Sequence, residues 1–257
     1  WGLSNNFAMA LSPVLSLWLY THSQNYNVLF TVALAFAIAG FLINTTVECK
    51  YRPPVMDKQK MSLDRFILLK GWSQGLCIAC VATAYGILST YIAIYSQDVL
   101  NITTGTGTFF MLFAVGLIMS RFVGVKSLSR GHAVRNATYG VIFVVLGYSL
   151  FALWQNLYGY YISAVVIGFG QGSMYPAVQT MFLNMAPNEQ RGTANSTILT
   201  SWDLGIGIGI IGGGYVAEHL GGYKFAFMMS ALVSFVSMVF FLLYAKNEYL
   251  RNKLIKE

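Results

Sequence analysis

Charge is scarce in this sequence: Asp, Glu, Lys and Arg make up 10% of 257 residues, while 56% are hydrophobic. Soluble domains carry about 25% charged residues, enough to face water on every side. A chain with so little charge cannot build a water-facing shell, which excludes a soluble globular protein. Histidine is equally thin. His22, His132 and His219 all fall outside the apolar runs, and a membrane-embedded enzyme would need such groups clustered within them. No G-x-x-x-x-G-K-[ST] segment occurs, so the chain carries no phosphate loop for ATP. Of three cysteines, Cys77 and Cys80 sit one turn apart in an apolar stretch with no second pair. Packing is expected of them, not zinc or redox chemistry. Short segments of about ten residues with alternating polarity, the mark of a membrane β-barrel, are also missing. No enzymatic activity and no cofactor are expected.

Long apolar runs are what the sequence has in abundance. Eight lie near 3–20, 28–46, 73–95, 106–125, 134–154, 157–183, 196–217 and 225–245. Roughly 20 apolar residues in a helix cross a hydrocarbon core about 30 Å thick. The expected fold is therefore an all-α membrane protein with eight transmembrane helices.

The net charge of +7 is a matter of topology, not a footprint for nucleic acid. Lys50, Arg52, Lys58, Lys60, Arg65 and Lys70 lie in one connection, and Arg121, Lys126, Arg130 and Arg135 around another. Arg191 and the tail residues Lys246, Arg251, Lys253 and Lys256 follow the same alternation, leaving only Lys224 on the other side. Lys and Arg concentrate in cytoplasmic loops, so both ends of the chain are expected in the cytoplasm of a cell whose plasma (bacterial inner) membrane holds the protein. An even number of spans requires the same.

One long polar stretch, Cys49 to Gly71 with Pro53-Pro54, divides the chain unevenly. Residues 1–48 read as the last two helices of an N-terminal half, 49–71 as a cytoplasmic central loop, and 72–257 as a six-helix half with a cytoplasmic tail. The chain opens at Trp1 inside a span and without an initiator Met, so four further helices are expected upstream. A weak internal repeat fits this. Ser4 to Pro13 can be laid beside Ser201 to Ile210 without a gap, matching Asn6 to Asp203 and small residues Ala8, Ala10 and Ser12 to Gly205, Gly207 and Gly209. Parallel repeats of this kind occur in two-half carriers.

The spans are of two kinds. The second and eighth are apolar nearly all round, as lipid contact requires. The first, third, sixth and seventh carry Asn5, Asn6, Ser12, Gln74, Thr83, Ser89, Thr90, Gln171, Ser173, Thr200 and Asp203. Polar groups at membrane depth must face protein or water, so these four helices are expected to line an interior cavity.

This layout resembles the major facilitator superfamily, with the eight spans standing as helices 5–12 of twelve. Met185 through Ser196, with Pro187 followed by Arg191-Gly192, is similar to the family's loop before helix 11. Gly116 through Arg121 and Lys126 through Gly131, holding Arg121 and Arg130, resemble the basic loop between helices 8 and 9, although Ser120 and Ser129 stand where the family has an acid. Ser12-Pro13 sits where drug-efflux members have Gly-Pro in helix 5. The resemblance implies a secondary active transporter of a small organic solute, working by alternating access as a monomer, coupled to protons and leaning toward efflux; uptake of a sugar, nucleoside or peptide is the alternative.

Of nine acids, Asp203 alone lies well inside a span. Burial there costs about 2.5–3.5 kcal/mol unless the group is paired, hydrated or protonated, so it is the candidate proton carrier; the alternative is a structural Asp, hydrogen-bonded near the cytoplasmic end with Thr200 one turn back. Gln74, Tyr85, Gln171, Tyr175, Trp202 and Asn6 are the substrate-contact candidates, because polar tips on aromatic walls suit small organic ligands. Pro13 and the series Gly205, Gly209 and Gly213 are candidates for close helix packing or flexing. No Lys or Arg lies mid-span, so no anchor for phosphates or carboxylates is offered.

Overall fold

A computed structural model describes residues 11–12, 15–16, 18–47, 67–102 and 105–254, the side chains of 105, 125, 126 and 129 excepted. Asn6, Pro13, the Ser4–Pro13 segment of the internal repeat apart from Leu11 and Ser12, and most of the 49–71 loop lie outside the described residues. Helical residues between 11 and 23 lead to α1, Tyr26–Thr45, which Asn25 caps by accepting the Asn27 amide at 2.9 Å. Six long helices follow: α2 (Trp72–Asp98), α3 (Gly105–Ser129), α4 (Ala133–Leu153), α5 (Leu157–Met185), α6 (Arg191–His219) and α7 (Tyr223–Phe240). A single π turn, Phe241–Ala245, joins α7 to α8 (Lys246–Asn252). The helix of the eighth apolar run thus continues about two turns beyond the run's expected end, through the polar segment Lys246–Asn252.

By length and composition, α1, α2, α3, α4 and the continuous α7–α8 are apolar enough to cross a membrane. Helices α5 and α6 are just as long, at 29 residues each, but too rich in glycine and polar side chains to match them. Helix α5 buries fifteen residues against its neighbours, whereas α6 buries a single stripe.

The pairing of helices has a threefold offset. Helix α2 crosses α6 while α5 crosses α3, so the first helix of each triplet packs on the second of the other. Helix α4 then packs on α5, and α7 on α2, the third of each on the first of the other. Such nested three-helix repeats make up each half of a two-half carrier.

Glycine sets both crossings, because a side chain would hold the backbones apart. At the first, Gly205 sits on the Ala79 carbonyl and Gly209 on the Thr83 carbonyl; a Cβ at Gly86 would stand 2.5 Å from the Ile206 carbonyl oxygen. At the second, Gly168 lies against the Phe113 carbonyl and Gly116 against that of Val165.

The two ends are closed differently. Where α2 and α4 end and α3, α5 and α7 begin, Tyr95, Phe109, Phe151, Tyr160 and Phe227 pack with ring centroids between 4.6 and 5.9 Å apart. The opposite end is tied by polar bonds. Trp72 Nε1 donates to Glu248 Oε1 at 3.0 Å, Gln179 Nε2 to Asn195 Oδ1 at 3.0 Å, and Asn184 Nδ2 to the Tyr249 hydroxyl at 3.1 Å.

One expectation needs correction here. Helix α7 is not apolar all round: Ser230, Ser234 and Ser237 form a buried seam with Ala226 and Phe227. Ser237 Oγ donates to the Cys77 carbonyl of α2 at 3.1 Å. Cys77 is therefore a packing residue on this seam, and both it and Cys80 are free thiols.

A candidate solute-facing wall

Helix α6 has two faces. Ala194, Ile198, Trp202, Gly205, Gly209 and Gly213 are buried, whereas Thr200, Asp203, Leu204, Ile208 and Ile211 are exposed. The i, i+3/i+4 spacing of both sets follows from 3.6 residues per turn. Small residues on the buried face bring α6 against α2, and Trp202 is the one aromatic side chain in that stripe.

Its indole anchors a group of rings drawn from four helices. Tyr85 of α2 lies 5.6 Å from Trp202 centroid to centroid, and Tyr175 of α5 lies 5.4 Å away, edge-on. Phe113 of α3 stands 6.1 Å from Tyr85. Tilted and T-shaped contacts at these distances are favoured by the ring quadrupole. Asp203, close to the middle of α6, is within electrostatic reach of the Tyr175 hydroxyl. One turn before Tyr175, Gln171 is buried and donates from Nε2 to the Tyr148 hydroxyl of α4 at 3.3 Å.

The structure therefore brings Tyr85, Tyr175 and Trp202 together, with Gln171 one turn before Tyr175 and Asp203 following Trp202 on the exposed side of α6. It does not bring Gln74 to this group. Gln74 is fully buried about 16 Å along α2 from Tyr85, where it donates to the Ala245 carbonyl at 2.9 Å and accepts from Ser73 Oγ at 3.0 Å. Its amide holds the π turn in place. Asp203 is exposed on α6 rather than enclosed. Thr83 and Ser89 bond to carbonyls of their own helix, so α2 satisfies much of its polarity internally. Phe113 and Tyr148 were not anticipated. Tyr148 lies within the apolar run Val144–Phe151, where a buried hydroxyl needs a partner, and that is the signal that points to it.

Of the basic loop residues, Arg121 is half-buried with its Nε lacking a partner among the described residues, beside a small cleft lined by Ser120, Asn136 and Ser173. Arg130 and Arg191 are exposed, and Gly192 has open space where a side chain would go. Ser120, where the resemblance would place an acid, donates to the Leu117 carbonyl of its own helix at 2.7 Å.

An aromatic wall with one carboxylate and no mid-span cation can stack on a flat organic solute, attract a cation and carry a proton.

The family model described as Major Facilitator Superfamily matches residues 132–257. Among curated proteins, the chain is 22% identical over 177 residues to the uncharacterized MFS-type transporter YhhS of Escherichia coli O157:H7, covering 68% of this chain and 43% of that protein. It is 26% identical over 168 residues to the inner membrane transport protein YdhP of Escherichia coli K12, covering 65% and 43%. Its fold is that of a crystal structure of a bacterial homolog of the human lysosomal transporter Spinster, in an inward-facing and unoccupied conformation, with a TM-score of 0.67, 16% identity and coverage of 90% of this chain and 61% of that one. The outward conformation of the major facilitator transporter FucP gives 0.59, at 15% identity and coverage of 86% and 53%. The fold and the apolar helices are those of an integral membrane protein, and the proteins it is similar to are transporters. The C-terminal stretch 132–257 is similar to the major facilitator superfamily, and the matched part of the chain spans 43% of the length of the curated relatives.

Proposed function

We propose that the protein is a proton-coupled secondary active transporter that moves a small organic solute by alternating access, in the direction of efflux. The observation that supports this reading is the wall itself: Tyr85, Tyr175 and Trp202 packed from three helices, with Asp203 next in sequence to Trp202 and exposed on α6. In this reading the exposed face of α6 looks across a central cavity at an N-terminal half, of which residues 1–48 supply the last two helices, and residues 49–71 form the cytoplasmic link. The described helices then stand as helices 5–12. Asp203 exchanges a proton with that cavity, and the rings bind an uncharged or cationic solute, since no mid-span Lys or Arg would hold an anion. The alternation of Lys and Arg supports a cytoplasmic position for both ends of the chain, and the relative named as an inner membrane transport protein supports the bacterial inner membrane. The carrier is expected to work as a monomer.

The test is proton flux in proteoliposomes of the full-length gene product, wild type against Asp203→Asn, over a panel of sugars, nucleosides and lipophilic cations. Solute-dependent flux that disappears in the variant while solute binding survives supports the reading, and the direction of the gradient that drives it gives the direction of transport. Equal flux in both proteins would make Asp203 a structural residue and defeat proton coupling at this site.

A further inference from the structure

At the polar end of the bundle, two cavities of about 350 Å³ each flank the first turns of α4. They share Arg135 and Tyr139 as the ridge between them. One, toward the start of α8, is also lined by His132, Thr138 and Lys246. The other runs between α3, α4 and α5, where Phe143 and Phe169 pack edge-on at 4.9 Å and Val123 completes an apolar wall. Among the described residues, no Asp or Glu lines either cavity. Arg135 Nη2 donates to Ser127 Oγ at 3.1 Å, which steadies an otherwise exposed guanidinium on the ridge. Nothing in the solute-facing wall uses these residues.

We infer that this is a binding site for an anionic phospholipid, with the phosphate between Arg135 and Lys246 and one acyl chain in the Phe143–Phe169 groove. The depths agree. Phe143 lies eight residues along α4 from Arg135, about 12 Å deeper, which carries the groove from the headgroup level well into a hydrocarbon leaflet of about 15 Å. The cations lie on the side that the distribution of Lys and Arg assigns to the cytoplasm, the face toward which anionic lipids draw basic residues. A free phosphate ion would satisfy the cations but leave the apolar groove unused.

The inference is tested by native mass spectrometry of the full-length gene product, titrated with phosphatidylglycerol or phosphatidylcholine of the same chains. Phosphatidylglycerol should be retained in preference. Arg135→Gln and Lys246→Gln should each weaken it about fivefold, with Lys224→Gln at the other end as the unchanged control. All three side chains lie at the rim, and matching elution volumes will confirm that the variants fold. Equal retention of the two lipids, or a double variant that holds phosphatidylglycerol as wild type does, overturns the site. Displacement of phosphatidylglycerol by millimolar inorganic phosphate would show an anion pocket and overturn the lipid assignment.

Discussion

Helices α1 and α2 are both apolar enough to cross a membrane, yet they behave as opposites. No residue of α1 is buried, whereas α2 buries fifteen, among them Gln74, Gly75, Thr83 and Gly86. Nothing lies within 4 Å of where a side chain would stand on Gly40 of α1, while at Gly86 the Ile206 carbonyl is already 2.5 Å away. The contrast separates two tasks that hydropathy merges. Apolar length takes a helix into lipid, but lipid is as apolar as leucine and provides no hydrophobic drive toward another helix. Association comes from close approach at small residues and from hydrogen bonds, both of which α2 has and α1 does not show among the described residues.

The contrast is broken most severely by a large side chain at the α2–α6 crossing. Gly209→Leu would press into the Thr83 carbonyl, and should lower stability by about 3 kcal/mol or more, read as a fall in the thermal unfolding midpoint in detergent. Removing a polar tie comes next. Gln74→Leu leaves the buried Ala245 carbonyl without its donor and should cost about 2 kcal/mol, with no change in solute affinity by equilibrium binding. Trp72→Phe, at a half-exposed position, takes away the bond to Glu248 Oε1 and should cost about 1 kcal/mol in the same unfolding assay. Gly40→Leu and Phe30→Ala on α1 should each stay within about 0.5 kcal/mol of wild type. A large loss at Gly40 would mean that α1 has a tightly packed partner at that face.

The helices themselves were legible because each apolar run is long and bounded by charge or turn residues. The aromatic group at the wall was partly legible, since Tyr85, Tyr175 and Trp202 stand out beside polar neighbours in spans that carry glycines. Gln74 shows where that reasoning stops. Polarity in a span demands a partner, but sequence does not distinguish water in a cavity from a carbonyl on another helix, here Ala245 at a separation of 171 residues. The serine seam of α7 was present in the spacing of Ser230, Ser234 and Ser237, and was masked by a composition that averages as apolar. The aromatic closure of the far end draws Tyr95, Phe109, Phe151, Tyr160 and Phe227 from five helices, and no local pattern announces it.

Thr200 of α6 and Leu232 of α7 are both exposed on the described bundle, but only the first is assigned to a water-lined cavity. Single cysteines at each position, in full-length protein with Cys49, Cys77 and Cys80 replaced, can be reacted with a membrane-impermeant maleimide in proteoliposomes. Thr200→Cys should label, and a transported solute should slow that labelling, while Leu232→Cys in lipid stays unreactive. Equal labelling of the two, or an unreactive Thr200→Cys beside a reactive Leu232→Cys, would contradict the assignment of the α6 face as the solute-facing wall.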